Sequence, residues 1–241
     1  ETYLSLRRLE NRVISLLNKG EKVLGFDEFI KVKINQFYGI EINDFAVTVA
    51  KTALWIAESQ MMKETSMLVG VSLDFLPLTT NAFIVEGNAL RMDWATLKPI
   101  DTAEVEIGLF SGFATEVDGS KIDYDYIIGN PPFVGYKFLT AKQKQELIDI
   151  KSNLRAIDYV TGWYYKVAHF IQDTKIECAF VSTNSITQGS AVQNVWNDLL
   201  TSLNVKINFA YRTFRWDSEA SLKAHVHCVI IGFACFDKSK K

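Results

Sequence analysis

The sequence predicts an α/β protein with a mostly parallel sheet that ends in an antiparallel hairpin. Segments with strand character alternate with amphipathic helical segments along most of the chain, which is typical of parallel sheets covered by helices. The last two predicted strands, 205–211 and 225–236, have no helix between them, which favours antiparallel pairing at the sheet edge. A strand at 124–128 stops at Gly129 and is followed by Asn130 and two prolines. Open α/β sheets bind ligands at such strand ends.

Apolar residues at helical or alternating spacing define the individual elements. The first helix spans 2–18 and ends near Gly20, and the second begins after its capping residue Asn43. The residues that give the first helix its period are Leu6, Leu9, Val13, Leu16 and Leu17. The residues that the second helix is expected to bury are Ala46, Ala50, Ala53, Leu54, Ala57 and Met61. The later helices are predicted at 140–151, 158–172 and 191–203, and the other strands at 36–42, 82–86 and 177–183.

Composition and length predict one globular domain over 1–236 with an ordinary core. Hydrophobic residues make up 48% of the chain, and the formal net charge is −2, so bulk charge gives no support for nucleic-acid binding. The glycine-rich segment 95–122 is predicted to be an insertion or a long loop. The charged residues 237–241 are expected to form a frayed tail.

The cysteines and the apolar runs indicate a cytoplasmic protein. Cys178, Cys228 and Cys235 lack the paired spacing of metal sites, so we expect structural thiols in a reduced environment and no metal. No uninterrupted apolar run approaches the ~20 residues that a membrane helix needs. Residues 1–18 carry charges throughout, so we expect no signal peptide there.

The turn at Asn130 has the chemistry of a site that binds an amine. The Asn130 amide oxygen and the Pro131 carbonyl are two acceptors on a rigid backbone, which suits an exocyclic amino group with two hydrogens to donate. Accepting both hydrogens localises the nitrogen lone pair, and Phe133 is placed to stack on the ring that carries the amine. A plain proline turn, in which the Asn130 side chain bonds its own backbone, fits the same four residues.

Several segments resemble one enzyme family. The segment 128–133, IGNPPF, resembles the catalytic motif of N6-adenine DNA methyltransferases from restriction–modification systems. The segment 37–41, FYGIE, resembles the motif whose acid binds the ribose hydroxyls of S-adenosylmethionine, and 86–89, EGNA, resembles the motif that contacts the cofactor's adenine. The distal segments 158–165, 214–217 and 224–233 look like those of the large single-chain MmeI-like (type IIG) restriction–methylation enzymes.

The resemblance implies a fold, a reaction and roles for individual residues. It implies a Rossmann-like class I methyltransferase fold that moves a methyl group from S-adenosylmethionine to a flipped-out adenine of double-stranded DNA. The catalytic residues would be Asn130, Pro131, Pro132 and Phe133. The cofactor-binding residues would be Glu41, Ile42, Asn88 and Ala89, where Asn88 replaces an aspartate that is common in the family. Phe214 and Trp216 would supply a second aromatic against the adenine, or else anchor their loop to the core.

The glycine-rich cofactor loop of the family, and the strand before it, have no counterpart among these residues. The resemblance therefore implies that the first strand and this loop are missing, and that the chain alone binds the cofactor poorly and is inactive. Two alternative functions stay open: methylation of a protein glutamine, and a non-catalytic fragment that only binds DNA or a partner.

Two further groups of residues have open interpretations. A basic stretch after the turn either meets DNA phosphates or forms a solvated helix face. Its members are Lys137, Lys142, Lys144, Lys151 and Arg155. His225 and His227 share one strand face without an evident third metal ligand, so a packed or surface pair is favoured.

Overall fold

The structure is a computed structural model that describes residues 1–18, 30–70, 82–97, 124–152, 154, 157–189, 191–216 and 226–237. The chain divides into two compact units, Glu1–Ile122 and Asp123–Lys241, and each is described by itself. Of the predicted features, Gly20, Arg155 and His225 lie outside the described residues. The same holds for the predicted insertion beyond Leu97 and for the tail beyond Asp237.

The first unit contains two helices and a parallel pair of strands. The elements are α1 (Thr2–Asn18), β1 (Tyr38–Glu41), α2 (Asp44–Val69) and β2 (Phe83–Glu86). β1 and β2 pair in parallel, with Glu41 opposite Glu86 at their carboxyl ends. The predicted cap is confirmed, because the Asn43 side chain accepts the Ala46 amide at 3.2 Å. Gly70 ends α2 in the left-handed conformation (φ 65°) that favours glycine.

The first helix packs on α2 through a face that the sequence did not reveal. The buried residues of α1 are Tyr3, Arg7, Asn11 and Ile14. Arg7 is fully buried and is stabilised by an ion pair with Glu10 and by a 2.8 Å hydrogen bond to the Thr65 hydroxyl. The residues that gave the helical period all lie exposed: Leu6, Leu9, Val13, Leu16 and Leu17. The predicted helix is therefore confirmed, whereas its packing face combines polar and apolar residues.

The second helix confirms only part of its predicted buried set. Met61 is fully buried, but Ala53 is exposed, and the other four predicted residues are only partly buried. The residues that α2 buries are Val47, Glu58, Met61, Thr65 and Val69. This face includes Thr65 because its hydroxyl also donates to the Asn11 side chain at 2.7 Å. The buried face of α2 thus includes hydrogen-bonded polar residues, which the apolar pattern did not include.

The second unit is a four-stranded mixed sheet with helices packed against it. Its elements are β3 (Tyr126–Gly129), α3 (Ala141–Ile150), α4 (Thr161–Phe170), β4 (Glu177–Thr183), α5 (Asn197–Thr201), β5 (Lys206–Trp216) and β6 (Val226–Ala234). The strand order is β3-β4-β6-β5, with β3 parallel to β4 and with β6 antiparallel to both β4 and β5. The predicted terminal antiparallel pair and the mixed α/β class are confirmed. Of the helices that the structure describes, none is long and apolar enough to cross a membrane.

An aromatic cluster forms the core of this sheet. The Tyr164 ring of α4 stacks on Phe233 at 5.4 Å between centroids and meets the edges of Phe180 (5.3 Å) and Trp196 (5.5 Å). The buried Tyr164 hydroxyl lies 2.8 Å from the buried Ser182 hydroxyl, so the one polar atom of the ring has a partner. Burial raises the pKa of Tyr164 above its ordinary range. The cluster joins α4, β4, β6 and the π-helical turn before α5, and so fixes the sheet that carries the turn at Asn130.

Candidate functional site

The turn after β3 presents two hydrogen-bond acceptors on a rigid backbone. Gly129 pairs with Phe180 at the end of β3, and Pro131, two residues further on, is buried, so the turn leaves the sheet from a fixed point. The Val134 amide donates to the Pro132 carbonyl at 3.1 Å, which closes a tight turn around Phe133. Within the part of the chain that the structure describes, no hydrogen bond engages the Asn130 side chain or the Pro131 carbonyl.

This geometry distinguishes the two interpretations of the turn. A plain proline turn requires the Asn130 side chain to bond its own backbone, and no such bond is present among the described residues. Asn130 is exposed, and Phe133 is only partly exposed. The amide oxygen is thus available to a ligand, and an aromatic face lies three residues further along the same turn.

The far end of the turn is tied to the segment before α4. The Tyr136 amide donates to Asp158 Oδ1 at 3.1 Å, and the Tyr159 amide donates to the Val134 carbonyl at 2.9 Å. The other oxygen of Asp158, Oδ2, accepts a hydrogen bond from the Ser185 hydroxyl just after β4. The sequence showed an aspartate at the start of a predicted helix, but no local pattern indicated that its carboxylate contacts a turn more than twenty residues earlier.

Phe214 lies at the same end of the sheet as Asn130, on a different strand. β5 and β4 are both antiparallel to β6, so Phe214 and Trp216 lie near the end of the sheet at which β3 and β4 also end. Two strands separate β5 from β3, a spacing of about 14 Å at ~4.8 Å per strand. A bulge shifts the register between Tyr211 and Phe214, and within it the Thr213 hydroxyl donates to the Asn184 side chain at 3.0 Å. This bond links the bulge of β5 to the end of β4.

In the first unit, Glu41 and Ile42 occupy the carboxyl end of β1. Both side chains are exposed, and Ile42 is 66% exposed. The Gly87 amide donates to the Glu41 carbonyl at 2.8 Å, so β2 and the residue after it hold this strand end in place. A Cβ at Gly87 would overlap the Met92 sulfur, so a larger residue there would require the Met92 side chain to move.

The segment after β2 forms a tight turn that begins at Asn88. The Asn88 Oδ1 accepts the Leu90 amide at 2.9 Å, and the Asn88 carbonyl accepts the Met92 amide at 3.1 Å. The Ala89 carbonyl accepts a 2.8 Å hydrogen bond from the indole of Trp94, which is buried. The side-chain oxygen of Asn88 is therefore engaged within its own turn.

Three comparisons with known proteins bear on these two sets of residues. A model of the MmeI DNA-methyltransferase domain family matches residues 1–241. The chain is 37% identical over 241 residues to DNA methyltransferase A of Bacillus subtilis (strain 168), covering 98% of the chain and 25% of that protein. It is also 41% identical, with a TM-score of 0.81, to a solved structure of the type IIL restriction–modification enzyme MmeI in complex with DNA. That match covers 98% of this chain and 29% of the MmeI chain.

The chain belongs to the MmeI DNA-methyltransferase domain family. The predicted resemblance to the MmeI-like group is thereby confirmed, and so is the Rossmann-like methyltransferase fold. The chain spans about a quarter of the length of the curated relative that it matches.

The remaining candidate residues lie apart from the turn at Asn130 or play structural roles. In the described ranges, no three His, Cys, Asp or Glu side chains are grouped to hold a metal ion. Cys178 and Cys228 are buried, and burial raises the pKa of both thiols. Lys151 forms an ion pair with Asp198 and lies 4.7 Å from the centroid of the Tyr165 ring, so it stabilises the helices.

Proposed function

We propose that this chain is the methyl-transfer domain of a DNA methyltransferase that modifies the N6 amino group of adenine. The observation that carries the proposal is a pair of acceptors on a rigid turn at the end of β3, the Asn130 amide oxygen and the Pro131 carbonyl, which no hydrogen bond among the described residues engages. An exocyclic amino group has two hydrogens to donate to such a pair. Membership of the MmeI DNA-methyltransferase domain family supports methyl transfer to DNA.

The residues of the turn each have a part in this chemistry. Asn130 and Pro131 accept the two N6 hydrogens, which localises the nitrogen lone pair and strengthens the amine as a nucleophile. Phe133 stacks on the adenine ring. The two prolines restrict the backbone, so the amine is held in one orientation, and positioning is the main catalytic contribution. The new N–C bond would form as the bond between the methyl group and the cofactor's sulfur breaks, with the electron pair left on sulfur, and the N6 proton then leaves to water.

Residues of the first unit suit S-adenosylmethionine, which supplies an activated methyl group when bound. The exposed Glu41 carboxylate at the end of β1 is an acceptor for the two ribose hydroxyls, as carboxylates are in dinucleotide folds. Ile42 offers an exposed apolar surface to an adenine ring. Asn88 and Ala89 lie in the turn after β2, and we propose that they adjoin the cofactor's adenine, in line with membership of the methyltransferase family. These residues therefore suit the ribose and the adenine of the cofactor.

We further propose that the intact protein is a restriction–modification enzyme that acts on double-stranded DNA. Lys137, Lys142 and Lys144 are exposed on the segment directly after the catalytic turn, where they are available to phosphates. Phe214 and Trp216, at the same end of the sheet, are proposed to supply a second aromatic against the flipped adenine. The bond between Thr213 and Asn184 supports this role, since it brings the bulge of β5 to the end of β4.

A methyl-transfer assay with the full-length protein tests the proposal. The protein is incubated with labelled S-adenosylmethionine and unmethylated phage DNA, and the digested nucleosides are identified by mass spectrometry. We expect N6-methyladenine from the wild type and a loss of about 10²-fold or more in Asn130→Ala. The control is Asp149→Ala on the exposed face of α3, which should retain activity. Methylation of a glutamine peptide without adenine methylation, or no transfer at all, would overturn it.

A further inference from the structure

The catalytic turn is held at its far end by one carboxylate. Asp158 Oδ1 accepts the Tyr136 amide at 3.1 Å, and Oδ2 accepts the Ser185 hydroxyl. The Ser185 hydroxyl in turn lies 2.8 Å from the Thr183 hydroxyl at the end of β4. Since β4 is the parallel neighbour of β3, these bonds connect the far end of the turn to the same sheet that holds its near end.

The backbone around Asp158 reinforces this arrangement. The Tyr159 amide donates to the Val134 carbonyl at 2.9 Å. Two consecutive residues, Asp158 and Tyr159, therefore form hydrogen bonds with the turn, at positions 136 and 134. The Tyr159 hydroxyl donates to the buried carboxylate of Glu146, and this bond ties the segment that contains Asp158 and Tyr159 to α3. The turn is therefore anchored to β3 at Gly129 and to the segment before α4 at Val134 and Tyr136.

The Asp158 carboxylate does not cap the helix that follows it, α4. α4 begins at Thr161, its first turn has no side-chain cap, and the Thr161 amide bonds the backbone carbonyl of Asp158 at 3.1 Å. Both carboxylate oxygens are instead directed to residues outside the helix, Tyr136 on one side and Ser185 on the other. The side chain thus joins three segments that are distant in sequence.

We infer that Asp158 is a positioning residue for methyl transfer: its carboxylate bridges the Tyr136 amide and the Ser185 hydroxyl, and so sets the orientation of the turn that carries Asn130 and Phe133. This inference rests on the proposed function of that turn. A displacement of about 1 Å at a reacting group lowers the rate of the chemical step by about 10²-fold. The contacts that bind DNA and cofactor before the reaction are not removed, so binding should change little. Loss of the bridge therefore acts on kcat more than on KM.

Three variants of the full-length protein test the inference. Asp158→Ala removes both bonds and should lower kcat by roughly 10- to 100-fold with little change in KM for DNA or cofactor. Asp158→Asn keeps an acceptor for the Tyr136 amide and a polar group towards Ser185, so it should recover most of the activity. Asp149→Ala removes an exposed carboxylate of α3 that accepts a hydrogen bond from Gln145 of the same helix, and this variant should behave as wild type.

A second measurement reports the turn directly. An oligonucleotide with 2-aminopurine at the target adenine fluoresces when the base leaves the stack, and its signal depends on the aromatic surroundings in the pocket. Asp158→Ala should change the emission of bound DNA while Asp158→Asn and Asp149→Ala match the wild type. If Asp158→Ala does not fold, Ser185→Ala, which removes one of the two bonds, takes its place and should lower kcat less.

The outcomes separate this inference from the proposed function. If the wild type forms N6-methyladenine and Asp158→Ala is equally active, the positioning role is wrong and the proposed function stands. A fall in activity that Asp158→Asn does not recover also contradicts the positioning role. If the wild type transfers no methyl group to adenine, the proposed function is wrong, and the positioning role that rests on it is wrong as well.

Discussion

The hydroxyl of Tyr164 offers a clean perturbation of the core that supports the turn at Asn130. Tyr164→Phe keeps the ring and its contacts with Phe180, Trp196 and Phe233 but leaves the fully buried Ser182 hydroxyl without its 2.8 Å partner. An unpaired buried polar group costs about 1–3 kcal/mol, so we expect the free energy of unfolding to fall by that amount. Chemical denaturation followed by tryptophan fluorescence measures it.

The same experiment contains its own controls. Tyr211→Phe removes a hydroxyl from a tyrosine that is 63% exposed, and it should change stability by less than about 0.5 kcal/mol. The double variant Tyr164→Phe with Ser182→Ala removes both partners of the bond and should cost less than the two single changes added together. Equal costs for Tyr164→Phe and Tyr211→Phe, or strict additivity in the cycle, would refute the reasoning.

Alkaline pH gives a second test of the same residue. Burial raises the pKa of Tyr164 above its unfolded value of about 10. The stability that comes from keeping this phenol neutral is therefore complete below about pH 10 and is lost as the pH rises further. Tyr164→Phe should show a smaller loss of stability above pH 10 than the wild type.

Two other predictions follow from glycine packing and from surface charge. Gly232→Ala should destabilise the sheet by about 1–3 kcal/mol, because its Cβ would clash with the Phe209 ring, whereas the Cβ of Gly135→Ala, 3.7 Å from its nearest neighbour, should cost little in the same denaturation assay. Replacing Lys137 and Lys144 by alanine should weaken DNA binding and reduce the salt slope of log K by about 0.9 for each phosphate that these lysines neutralise in the wild type, as measured by fluorescence anisotropy. Lys206→Ala, at the opposite end of the sheet, is the control and should leave the slope unchanged.

Periodicity and turn chemistry predicted most of the fold. The cap at Asn43, the strand that ends at Gly129 and the antiparallel terminal pair all depend on local residue types, and the structure confirms them. The packing face of α1 could not be predicted, because its apolar period marks a helix without specifying which side meets α2. The buried Arg7 is tolerated only through Glu10 and Thr65, and Thr65 lies 58 residues away in sequence.

The site was predictable where a short segment carries its own geometry. Asn130 to Phe133 lie in one rigid turn, so their residue types and their order already indicated two acceptors and an aromatic. The role inferred for Asp158 depends on the Tyr136 amide and on Ser185, which lies 27 residues further along the chain, and no local pattern encodes that meeting. Likewise, the sequence predicted a loop after 211, whereas β5 extends to Trp216. A bulge between Tyr211 and Phe214 shifts the register, and the pairing with β6 continues beyond it.

The central claim is that the Asn130 and Pro131 acceptors hold the amino group of adenine during methyl transfer. The most direct test is mass spectrometry of nucleosides from unmethylated DNA treated with the full-length protein and S-adenosylmethionine. We predict N6-methyladenine from the wild type and a loss of about 10²-fold or more in Asn130→Ala with a normal unfolding transition. Equal N6-methyladenine formation by a folded Asn130→Ala protein, or a methyl group on any other base, would contradict the claim.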